Sequence, residues 1–130
     1  MSTGNSATPL GQVRGLGAAG NVGGHWIEER FISVVLVLLS LWLLFSLMML
    51  PALDRVTLVE WLRAPAGAVP MALLVIASFK HGLDGMKVVV DDYVHAEGNR
   101  LATHFVMTMA AIAGAALSLF ALAKIAFGAA

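Results

Sequence analysis

The residues able to do chemistry in this chain gather between positions 80 and 95, where His81, Asp84, Gly85, Lys87, Asp92, Tyr93 and His95 occur together. At helical spacing His81, Asp84, Gly85, Val88 and Asp92 fall at i, i+3, i+4, i+7 and i+11, on one face. One stripe therefore carries an imidazole, a bare glycine one turn on, and an acid three turns on. A neutral imidazole binds a metal or a porphyrin iron through one ring nitrogen. A glycine beside it leaves a flat notch in which a macrocycle can lie. Plainer readings stand next to these. His81 can hydrogen-bond another helix, Gly85 can be a close-packing contact, Asp91, Asp92 and Tyr93 can be the wet end of a helix with its aromatic belt residue, and Lys80 and Lys87 can snorkel. Asp84 and Lys87, at i and i+3, have the spacing for a mutual ion pair.

The composition limits what can surround that stripe. Of 130 residues 59% are hydrophobic and 12% charged, against about 45–50% and 25% in soluble domains. So little polar surface cannot cover one core in water, and the surplus must face lipid. Eight Lys and Arg balance eight Asp and Glu, which leaves no basic footprint for nucleic acid. The absence of cysteine removes disulfides, thiolate metal sites, Cys-ligated iron–sulfur clusters and thiol nucleophiles. Chemistry here falls to His, carboxylates, Tyr and Arg.

An all-α membrane protein with three transmembrane helices follows. Phe31–Leu50 is a run of 20 residues without charge, the number needed to cross about 30 Å of hydrocarbon, and Pro51 closes it. Ala66 to about Asp92 reads as a second span with His81, Asp84 and Lys87 in its latter half. Ionisable groups at that depth are costly and usually face a bundle interior, a cofactor or a cavity. Leu101 to Lys124 forms the third, rich in small residues that let helices approach closely. Ala52–Ala64 reads as a short interfacial loop, with room for a helical turn, and Asp91–Arg100 as a polar connector. The domain expectation is a flexible Gly-rich tail over 1–24, with seven glycines, followed by a three-helix anchor over 25–130. The few basic residues lean toward an amino terminus on the cytoplasmic side.

Depth adds one constraint. If His81 ligates a haem, a second axial histidine in this chain would have to lie at a similar level. His25 precedes the first span, His95 sits in the connector and His104 is about one turn into the third helix. His81 lies about three turns from that side, a mismatch of about 10–15 Å. A bis-histidine haem would need a partner chain.

The run His81-x3-Gly85-x6-Asp92-Tyr93, preceded by His25-Trp26-x3-Arg30 and followed by Val94-His95 and a third apolar helix, resembles the small hydrophobic membrane anchors of succinate dehydrogenase, respiratory complex II, with cytochrome b556. The likeness runs from about His25 to the end of the chain. It implies that His81 is one axial ligand of haem b, the other coming from a companion cytochrome b anchor, the second hydrophobic chain of the complex. It implies that Arg30 lies near the haem propionates, where guanidinium suits carboxylate, and that Tyr93 and Asp92 border a ubiquinone site. FAD and iron–sulfur clusters would belong to a flavoprotein and an iron–sulfur subunit, and the location would be a bacterial inner membrane. Rival readings are the anchor of a quinol:fumarate reductase, a small proton- or solute-conducting bundle, and a packing subunit without cofactor contact.

Overall fold

The structure is a computed structural model that describes residues 9–13 and 22–128. Among these the backbone is helical and has no strand: α1 (Pro9–Val13), α2 (Val22–Met49), α3 (Arg55–Arg63), α4 (Pro65–Tyr93) and α5 (Glu97–Phe127). Three helices are long and apolar enough to cross a membrane, over Trp26–Met49, Pro65–Tyr93 and Glu97–Phe127. Hydrocarbon offers no water to backbone N–H and C=O groups, so each apolar run must satisfy them internally, and a helix does so.

The helices outrun their uncharged stretches. The polar connector expected over Asp91–Arg100 shrinks to the three residues 94–96. The Val94 N–H donates to the Val90 carbonyl at 2.8 Å as α4 closes, and the Arg100 N–H donates to the Ala96 carbonyl at 2.9 Å as α5 opens. Glu97 stands in the first turn of α5, where a carboxylate complements the helix dipole. Most of the 1–24 tail lies outside the described residues. Within it α1 is one short helix, and α2 already begins at Val22.

The segment expected as an interfacial loop contains α3. Asp54 caps it by accepting a hydrogen bond from the Thr57 backbone N–H at 2.8 Å. That bond holds the Asp54 carboxyl below its ordinary pKa. Trp61 of α3 stacks on Trp42 of α2, with ring centroids 5.6 Å apart. A single residue, Ala64, separates α3 from α4, and Pro65 starts α4 where its missing N–H costs nothing. Gly67 is buried in that tight corner, where a Cβ would collide with the Trp61 carbonyl.

Helix α4 is the centre. It packs against α2, α3 and α5, whereas no Cα of α2 comes within 8 Å of one in α5. The α4–α5 hairpin is closely apposed: a Cβ built on Gly114 would stand 2.6 Å from Cε1 of Phe79. This is the small-residue contact that α5's composition suggests. Ala77, Val90 and Leu122 are the buried hydrophobic residues among those described, while Phe31, Phe45, Phe105, Ile112 and Phe120 are all exposed. So much apolar surface is stable only against lipid or another chain.

Candidate functional site

On α4, residues three and four apart share a face, so the two sides of this helix serve different neighbours. Ser78, Phe79, Gly82 and Met86 face α5. His81, Asp84, Gly85 and Val88 face α2, where with Glu29, Arg30 and Ser33 they line a groove of about 350 Å³. Four of the five residues on the stripe thus lie in one concavity. Asp92, the fifth, is further along α4 and exposed.

The groove suits a flat ligand with an anionic edge. A Cβ built on Gly85 meets nothing within 4 Å, so the space above that glycine is open. His81 is exposed toward the groove with its imidazole on the same wall. Across from it, the Arg30 guanidinium lies over the Trp26 ring, 5.3 Å from its centroid, a cation–π contact that fixes one face of the cation. Ser33 is tied to its own helix, its hydroxyl donating to the Glu29 carbonyl at 2.8 Å. An imidazole and a guanidinium flanking an open notch are groups that could hold a planar iron macrocycle carrying carboxylates.

The charges around the groove pair differently from the sequence expectation. Asp84 does not bond Lys87. It bonds Lys80 one turn earlier, and the Lys80 ammonium also reaches Glu28 of α2 at 2.9 Å. At i, i+4 the Lys80 side chain reaches Asp84 directly, and the cross-helix carboxylate supplies a second acceptor that no spacing within α4 reveals.

These observations accompany a clear likeness to known proteins. The family described as Succinate dehydrogenase/Fumarate reductase transmembrane subunit matches residues 4–121. The chain belongs to this family. A succinate dehydrogenase hydrophobic membrane anchor subunit of Rickettsia bellii is 34% identical over 84 residues, 64% of this chain and 66% of that protein. The proteins of the same name from Rickettsia conorii and Rickettsia felis are 29% identical over 84 residues and 32% over 71, covering 64% and 54% of this chain and 67% and 58% of their own. The similarity therefore spans about two-thirds or less of each of these relatives. No solved structure matches. Family membership and three apolar helices make the chain an integral membrane protein.

In this anchor-family chain the remaining candidate residues sit away from the groove. Tyr93, the last residue of α4, is 78% exposed. Asp92 beside it is exposed and makes no hydrogen bond to Tyr93. His95 lies in the connector, and the His25 side chain lies outside the described residues. His104 is engaged elsewhere: its Nε2 lies 2.9 Å from Oδ1 of Asp91, and the Arg100 Nε lies 3.9 Å from the same oxygen. That cluster joins the end of α4 to the start of α5. Sequence spacing gave no hint of it, because Asp91 and His104 lie 13 positions apart across a connector whose length sets their approach. Among the described residues no group of three or more His, Cys, Asp or Glu could hold a metal ion by itself.

Proposed function

We propose that this chain is a membrane anchor of succinate:ubiquinone oxidoreductase, providing one axial ligand of haem b through His81 and part of the ubiquinone-reduction site through Tyr93 and Asp92. The observation that carries the haem reading is the gathering of His81, Arg30 and the open face of Gly85 in one groove. His81 would hold the iron and Arg30 the propionates. A haem so held carries one electron at a time. Neither His95 nor His104 competes with the reading. His104 is bonded to Asp91, His95 lies in the connector and His25 comes before the uncharged run that opens at Phe31, so a second axial ligand would come from a companion cytochrome b anchor.

Tyr93 stands twelve residues past His81, about 18 Å along the helix, at the surface end of α4. Its phenolic O–H would donate to a quinone carbonyl as negative charge develops there, and the exposed Asp92 would pass protons from the aqueous side. Succinate oxidation would belong to a flavoprotein and an iron–sulfur subunit, since a chain without cysteine has no thiolates to hold iron–sulfur clusters. The family description covers both succinate dehydrogenase and fumarate reductase, and the names of the Rickettsia relatives favour the succinate-oxidising direction. The setting would be a bacterial inner membrane with the amino terminus cytoplasmic.

The test is the reduced-minus-oxidised spectrum of the assembly co-purified through this chain, with its subunit masses. A low-spin b-type spectrum that is lost or altered in His81→Met supports the reading. An unaltered spectrum in that variant removes His81 from the ligand set.

A further inference from the structure

The Glu28–Lys80–Asp84 triad is not used by the proposed mechanism, yet Asp84 lines the groove and Glu28 and Lys80 adjoin residues that do. Glu28 precedes Arg30 by two residues on α2, and Lys80 immediately precedes His81 on α4. The Lys80 ammonium spans the two helices, 2.9 Å from Oε1 of Glu28 while bonded to Oδ2 of Asp84. Asp84 itself lines the groove and its side chain is only 14% exposed.

Two physical points make this more than a chance surface pair. In an isolated helix, an acid four residues before a base is the favourable order, and Lys80 before Asp84 is the reverse. The intrahelical bond alone is therefore only weakly favoured, and the Glu28 carboxylate of α2 adds a second acceptor for the same cation. Further, a mostly buried carboxylate within a membrane-spanning helix is expensive unless a cation accompanies it, and removing the partner leaves that cost standing. The same ammonium thus links α2 to α4 and offsets a negative charge in the groove wall one turn from His81.

The geometry points to Lys80, held between Glu28 of α2 and Asp84 of α4, as a positioning residue of the groove that sets the α2–α4 register and balances the Asp84 charge facing the bound cofactor. The charge half of this rests on the haem reading above; the register half does not. With Lys80 removed, Asp84 presents an unbalanced negative charge, which stabilises the oxidised iron and lowers its reduction potential.

The experiment uses the full complex carrying Lys80→Met, Lys80→Arg, the double variant Lys80→Met with Asp84→Asn, and a Glu28→Gln by Lys80→Met cycle. Haem content, haem midpoint potential and thermal midpoint are read for each. The register role predicts coupling in the cycle: the double variant loses no more thermal stability than either single one. Additive losses overturn that role. The charge role predicts a lower haem potential in Lys80→Met, recovery when Asp84→Asn is added, and near-normal behaviour in Lys80→Arg. A potential unmoved in Lys80→Met with haem content intact overturns the charge role, even if stability falls. Failure of the haem reading itself is separately visible, since a complex without pigment, or one whose spectrum survives His81→Met, removes the charge role while the cycle still decides the register.

Discussion

Tyr93 and His81 lie at opposite ends of the same half-helix, and their substitution should separate two functions. Tyr93→Phe removes one hydroxyl from an exposed position, so assembly and haem spectrum should persist while quinone reduction falls by roughly ten- to hundredfold, the scale of one hydrogen bond to developing charge. Succinate-driven quinone reduction by the purified complex measures this, and unchanged turnover would remove the hydrogen bond from the mechanism. A Cβ at Gly85 meets nothing within 4 Å, so Gly85→Leu grows into the open groove rather than into a helix contact, and the haem-to-protein ratio should drop. Retention of a full complement of haem would mean the groove is not where the macrocycle lies. At this scale the stripe of His81, Asp84, Gly85 and Val88 was legible because 3.6-residue periodicity needs no tertiary information. The partner of Asp84 was not legible. Lys87 and Lys80 are both at helical spacing from Asp84, and in the fold it is Lys80 that bonds it while also meeting Glu28 of another helix.

For the elements, the sequence located three spans but drew their ends where charge begins. A helix runs on wherever successive N–H groups find the carbonyl four residues back, and the Arg100 N–H on the Ala96 carbonyl carries α5 out through the polar residues Glu97–Arg100. The short α3 was harder to see, because its formation depends on the Asp54 cap and the Trp42–Trp61 stack as much as on its own pattern. Asp54 has a depressed pKa in the folded chain. The stability it contributes is therefore present above the ordinary carboxylate range and is lost as pH falls through the depressed value. Thermal unfolding followed across acid pH should show this loss in the wild type, and Asp54→Asn, which keeps a capping oxygen without the charge, should flatten it. Gly114 gives the sharper packing prediction. With Phe79 already 2.6 Å from where a Cβ would stand, Gly114→Leu should wedge α4 from α5 and cost about 1–3 kcal/mol in a denaturation assay, with part of the loss recovered by adding Phe79→Ala.

Taken whole, the molecule buries few of its apolar side chains against itself, and its exposed phenylalanines, leucines and valines on every long helix exceed what this chain can cover. The fold class was legible for the same reason: the imbalance between apolar and charged residues leaves lipid as the solvent. Co-expression with its partner chains should accordingly raise the thermal midpoint of the chain in detergent above that of the chain expressed alone, and equal midpoints would mean that lipid alone covers these faces. The central place of α4 also has a consequence for biosynthesis. Because the neighbours of α2, which are α4 and, through Trp42, α3, are both made after it, this first span enters the bilayer with no completed neighbour in its own chain. The Glu28 carboxylate must wait at the membrane boundary until about fifty further residues have left the ribosome and delivered the ammonium that will meet it. Insertion of the second helix is thus the step that anneals the first, and a ribosome stalled between the two would strand an acidic, unmatched helix in the membrane.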